Sequence, residues 1–191
     1  MRDYLYIWND PVNRFIVASG IEFRDLADRV GSDGGLVLLE SGAGFFGDYI
    51  EQDKLTEFVY VPRSSIPELA KQDIYSWGNF CWVDYRGESF PALPDQEIAE
   101  LLFFNHMAKP LDRLALPSLG NKHLCDIHDD GWYLKLFYSS WDDIIALIGA
   151  RYPQLNLSEL RTGKIAYWLS GESVDTEELS MDIDAILNRR L

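Results

Sequence analysis

Apolar positions along the chain follow two periods, and each predicts its own kind of element. Alternating or continuous apolar runs at 4–8, 14–18, 35–40, 57–61, 80–85, 123–128, 132–138 and 163–169 predict strands. Asn9-Asp10-Pro11-Val12-Asn13 is a turn-rich link between the first two. Asp129-Asp130-Gly131 separates 123–128 from 132–138, and an Asp-Gly pair there signals a hairpin because its turn needs positive φ. In 132–138, Trp132, Leu134, Leu136 and Tyr138 share one face while Tyr133, Lys135 and Phe137 share the other. Both faces are largely apolar, which predicts a central strand covered on each side.

Helical spacing appears in five places. Phe23, Leu26, Ala27 and Val30 follow a Ser19–Glu22 capping-box spacing and stop at Gly31. Ile66, Leu69, Ala70, Ile74 and Trp77 follow the same spacing at Ser65–Glu68. After Pro94-Asp95, the residues Ile98, Ala99, Leu101, Leu102, Phe103 and Phe104 leave little polar face, which predicts a central helix laid across the sheet. Ser140 caps a stripe of Trp141, Ile144, Ile145, Ile148 and Tyr152, with Asp142 and Asp143 where the helix dipole favours acids. Asp175 and Glu178 begin a last helix that turns Leu179, Ile183, Ile186 and Leu187 inward. The Pro- and Gly-punctuated stretch 109–122 is the longest irregular connection and a candidate functional or mobile loop. Hairpins interspersed with helices favour an α+β fold: a mixed, mostly antiparallel sheet of hairpins with about five helices packed on it. Residues 1–191 read as a single domain, with 163–191 a candidate C-terminal strand–helix appendage.

Composition narrows the class. At 47% hydrophobic and 14% aromatic residues, the chain has enough apolar material for a core and is not of disordered type. The charge changes the picture more. With 31 acids against 17 bases the net charge is −14, which argues against general binding to nucleic acid or anionic membrane, since both need cations to displace counterions. It admits a basic protein partner. No run approaches the ~18 apolar residues of a membrane span. Cys81 and Cys125 are too few for a disulfide scaffold, and residues 1–10 lack the form of a secretory signal, so a cytoplasmic location is expected.

Several patterns bear on chemistry. Gly42-Ala43-Gly44-Phe45-Phe46-Gly47 is a G-x-G-x-x-G run after a strand, the spacing of a dinucleotide loop. Asp48, Glu51 and Asp53 follow it, where a pyrophosphate would need a positive helix end, and the remaining residues are too few for a crossover helix. A Gly-rich surface loop fits better. In 123–130, His123 and Cys125 would share one strand face and could join Cys81 as three zinc ligands; Asp126, His128 and Asp130 could instead hold a harder ion. No CxxC or HExxH spacing supports either set, and His106, within the apolar helix, reads as a helix-end or core histidine. Cys81 lies in an apolar strand, where a thiol is usually inert, and no G-x-S-x-G elbow or P-loop lysine occurs. Carboxylates near one another, as around Asp84 and Glu88, are common in so acidic a chain and single out no acid–base pair.

The acids are clustered. Glu172, Asp175, Glu177, Glu178, Asp182 and Asp184 run without an intervening base, and Asp129 and Asp130 sit in a second acidic segment. Exposed aromatic rings beside such acids would form a protein-binding surface. The sequence therefore favours a non-enzymatic cytosolic interaction protein that uses acidic, aromatic-rimmed surface to bind a basic protein, with no metal or cofactor. Glu172, Asp175, Glu177, Glu178, Asp182, Asp129 and Asp130 are the candidate contact residues. Small acidic α+β domains of this kind are a familiar form of bacterial toxin-neutralising immunity protein, an analogy of composition and not of site. The competing reading is a small metal- or nucleotide-dependent enzyme centred on 123–130 or 42–47, and a third is a small-ligand sensor with an aromatic pocket. The oligomeric state is not fixed by the sequence.

Overall fold

A computed structural model of the chain describes residues 4–31, 33–39, 51–52, 58–72, 80–107, 115–128, 133–161 and 163–168. Among the described residues nine strands form one sheet: β1 (Tyr4–Asp10), β2 (Phe15–Ser19), β3 (Gly34–Leu38), β4 (Glu51–Gln52), β5 (Val59–Pro62), β6 (Phe80–Arg86), β7 (His123–His128), β8 (Tyr133–Tyr138) and β9 (Lys164–Trp168). Their spatial order is β4-β5-β3-β6-β7-β8-β2-β1-β9. Every pairing among them is antiparallel. The described helices that accompany the sheet are α1 (Phe23–Leu26), α2 (Ile66–Leu69), α3 (Asp95–Met107), α4 (Trp141–Ile148) and α5 (Leu157–Leu160). The fold is α+β.

Alternation of side chains sends two apolar rows out of most strands, and each row has its own cover. The first face carries Leu5, Ile7, Ile16, Ala18, Leu36, Leu38, Phe80, Trp82, Cys125, Ile127, Leu134 and Leu136. Residues of α1, α2, α4 and α5 close it: Phe23, Leu26, Ile66, Leu69, Ile144, Leu147, Ile148 and Leu160. Phe23 of α1, in the connection from β2 to β3, packs edge-on against Phe80 and Trp82 with centroids at 5.3 and 6.2 Å. The second face carries Val17, Val37, Val83, Leu124, Tyr133 and Phe137 and is closed by Leu101 and Phe104 of α3 with Leu116 and Leu119. β8 lies between β7 and β2 with both its rows buried, as its doubly apolar pattern predicts.

Local signals hold in part. Ser140 caps α4 through its side chain, and the Asp143 carboxylate returns the bond to the Ser140 N–H. The first capping box falls three residues beyond the spacing at Ser19: Glu22 and Asp25 form it, because Ser19 ends β2 and Gly20, at φ 88°, turns the chain before the helix begins. Ser65 makes no cap bond, since the chain enters α2 from a 3-10 turn at Arg63–Ser65. Of the stripe read from spacing at α4, Ile144, Ile148 and Tyr152 are buried, but Ile145 is 39% exposed and Leu147, outside that stripe, takes a core position. The strongest departure is α3. It covers one sheet face as an outer layer, so Phe103 stays 49% exposed while Glu97 is buried, its Oε1 accepting the Ser118 N–H. The described part of 109–122 is likewise packed and bonded, with Leu116, Leu119 and Asn121 buried. Among the described residues no helix is long and apolar enough to cross a membrane.

Candidate functional site

The chemistry of the described residues gathers where β6 ends. Along β6 the first-face row runs Phe80, Trp82, Asp84, so an acid takes the last position of an apolar row at the margin of the core. The β6–β7 register, one step beyond the Val83–Leu124 pair, sets His123 opposite it. Asp84 is 6% exposed and His123 5%. Asp84 Oδ1 accepts the backbone N–H groups of Lys122 (2.8 Å) and His123 (2.7 Å), and Oδ2 lies 2.9 Å from His123 Nδ1. A carboxylate only accepts, so Nδ1 carries a proton. Nε2 of His123 is buried and has no partner among the described residues.

An imidazole oriented by a carboxylate is half of an acid–base arrangement. The nearest candidate nucleophile by position is Cys125, two residues along on the same face, and it is fully buried. Burial, with the neighbouring Asp126 charge second, pushes its thiol pKa well above the ordinary value. A thiol so placed does not supply a thiolate. The pair therefore serves to anchor. Asn121 Oδ1 accepts the Leu116 N–H (2.8 Å), Ser139 N–H donates to the Lys122 carbonyl (2.9 Å), and Arg86 N–H donates to Leu119 (2.9 Å). These bonds lock 115–122 onto the ends of β6, β7 and β8.

Beside this anchor lies a cleft of about 510 Å³ at the ends of β3, β5 and β6, lined by Asp33, Gly34, Arg63, Ser64, Tyr85 and Glu88 among others. Glycine makes the room. A Cβ on Gly35 would stand 2.3 Å from the Val61 carbonyl oxygen and 2.5 Å from the Tyr85 hydroxyl, so the tyrosine ring lies over bare backbone. Burial, with Tyr60 nearby second, pushes the Tyr85 pKa up to about 12, and the phenol stays protonated at neutral pH. Phe90, 36% exposed, packs on Tyr60 and Tyr85 with centroids at 5.4 and 6.4 Å. Lys122 Nζ reaches Asp33 Oδ2 at 2.7 Å, and Gly87, at φ 102°, donates its N–H to the Asp33 carbonyl.

The candidate contact residues Glu172, Asp175, Glu177, Glu178, Asp182, Asp129 and Asp130 lie outside the described residues, as do the 42–47 glycines. The zinc set of His123, Cys125 and Cys81 does not assemble. Trp82 pairs with Cys125 and Cys81 with Asp126, so the two thiols project from opposite faces of the sheet. Of the harder-ion set, Asp126 is buried on the second face, the His128 side chain is not described, and Asp130 lies outside. Among the described residues no three His, Cys, Asp or Glu groups come together as a metal site. Asp84 and Glu88 do not act as a pair: Asp84 is committed to the 122–123 backbone and imidazole, while Glu88 lines the cleft. Most of the described aromatic residues are core, including Phe80, Trp82, Tyr133 and Phe137. Sequence reading missed the Asp84–His123 pair. Its one signal was an acid at the end of an apolar period-two row. No family model, curated protein or solved structure matches the chain.

Proposed function

We propose that the protein is a non-enzymatic, cytoplasmic interaction protein that binds a basic protein partner, in the manner of a bacterial toxin-neutralising immunity protein. The observation that carries this reading is the cleft at the ends of β3, β5 and β6. There Glu88 and Asp33, the latter shared with Lys122, supply carboxylates, and the buried Tyr85 ring forms a wall against which the partly exposed Phe90 packs. A lysine or arginine side chain fits this set, its charge facing the carboxylates and its stem the aromatic surface. Arg63 at the same cleft favours an entering cation that stays on the carboxylate side. The acids at 129, 130, 172, 175, 177, 178 and 182 add to a net charge of −14, which speeds encounter with a basic surface.

The immobilised protein should retain from its source lysate, at low salt, a basic protein in stoichiometric amount. Asp33→Asn with Glu88→Gln should weaken the purified complex about tenfold, and salt at about 0.5 M should release it. Recovery of no basic protein, or equal affinity for the double variant, would overturn the reading.

A further inference from the structure

The antiparallel order brings one end of each strand to a common rim. β3 starts there at Gly34, β6 ends at Arg86, β7 starts at His123, β8 ends at Tyr138, β2 starts at Phe15 and β1 ends at Asp10. Three strands along from β6, roughly 15 Å at the usual spacing, the rim opens into a second cleft of about 260 Å³. Its character is opposite to the first. Arg14 and Arg161 both line it, with Trp141 and Tyr138 as aromatic wall.

The two arginines are held there by backbone. The Arg14 carbonyl accepts the Tyr138 N–H (3.0 Å), and its guanidinium reaches the Ser139 carbonyl at 3.4 Å. The Arg161 carbonyl accepts from Asn9 Nδ2 (2.9 Å), and Asn9 in turn accepts the Tyr138 hydroxyl (2.9 Å). Among the described residues, neither guanidinium has a carboxylate within ion-pair distance. The acids closest in sequence are engaged elsewhere: Glu159, two residues before Arg161, accepts from the Asn156 side chain at 2.6 Å. Asp10 accepts the N–H groups of Val12 and Asn13 and the Asn13 side chain. Asp143 accepts from the Ser140 N–H and hydroxyl, leaving Asp142 exposed on the first turn of α4. Two arginines without a carboxylate partner among the described residues thus line one concave place in a strongly acidic protein.

We propose that this cleft binds a small oxyanion, a carboxylate or phosphate group, held between Arg14 and Arg161 against Trp141. Guanidinium groups suit such ligands because their N–H groups are always charged and match two oxygens at once. The site does not depend on the proposed basic partner and calls for a ligand of the opposite charge.

The test is an amide NMR titration of the full chain with inorganic phosphate and, separately, acetate, with ionic strength held constant by sodium chloride. Saturable shifts of the Ser139, Ser140 and Trp141 amides are expected with at least one of them. Tighter binding of acetate assigns the site to a carboxylate, and tighter binding of phosphate to a phosphoryl group. Arg14→Gln and Arg161→Gln should each weaken binding about five- to tenfold. Both variants should keep the wild-type melting temperature, since both side chains are exposed. Failure of both anions to saturate, or unchanged affinity in the double variant, overturns the proposal.

Discussion

Replacing Asp84 with alanine should be among the most damaging single changes to this protein. The side chain is 6% exposed and accepts three hydrogen bonds, from the Lys122 and His123 N–H groups and from His123 Nδ1. Truncation strands two backbone donors and an imidazole at the edge of the core. A buried group left unsatisfied costs about 1–3 kcal/mol, and breaking a buried pair about 3–5 kcal/mol. Partial rehydration at the rim lowers the sum, so the expected loss for Asp84→Ala is about 3–5 kcal/mol. Asp84→Asn keeps one carbonyl oxygen for the two backbone donors but turns an amide N–H toward Nδ1. It should cost about half as much and move the imidazole proton from Nδ1 to Nε2. Urea unfolding gives the free energies, and imidazole ¹⁵N shifts report the tautomer. A loss below about 1 kcal/mol for Asp84→Ala, or an unchanged tautomer in Asp84→Asn, would refute this account of the anchor.

Three further expectations follow from the same geometry. Gly35→Ala places a methyl 2.3 Å from the Val61 carbonyl oxygen, so it should cost about 1–3 kcal/mol by urea unfolding. In the folded chain Tyr85 keeps its proton to about pH 12, while in the unfolded chain it ionises near its ordinary value of 10. The unfolded state therefore holds fewer protons between those values, and stability should fall as pH rises from 10 toward 12, with a shallower fall in Tyr85→Phe. Unfolding midpoints at several alkaline pH values check this. Cys81 and Cys125 are both buried, so an aromatic disulfide reagent should modify them only at the rate of unfolding, and fast labelling in buffer would contradict their placement.

Which parts of this fold were legible in the sequence follows from the range of the forces involved. Most strand positions could be read because burial on two faces or one writes a period of two, or a continuous apolar run, into a few residues. The row Trp132, Leu134, Leu136, Tyr138 is an instance, with the last three found on the first face and Tyr133 and Phe137 on the second. The Ser140 cap was legible for the same reason, since both its partners lie within four residues. Helix burial was harder to read, because composition does not say which side meets the sheet. In α3, Leu101 and Phe104 meet the sheet, which turns Phe103 outward and brings Glu97 to the Ser118 N–H, 21 residues away.

Charge, class and apolar periodicity were thus determined by the sequence itself, because each depends on residue type and near neighbours. Tertiary structure decided what meets what. Register set Asp84 opposite His123 across 39 residues, put Cys81 and Cys125 on opposite faces and so dissolved a zinc set that spacing alone allowed. Strand order then brought Asp33, Tyr85 and Glu88 to one cleft and Arg14 and Arg161 to another on the same rim. The physical reason is that a strand's side-chain period is two while its partners are chosen by long-range pairing, so a one-residue change of register would exchange every face.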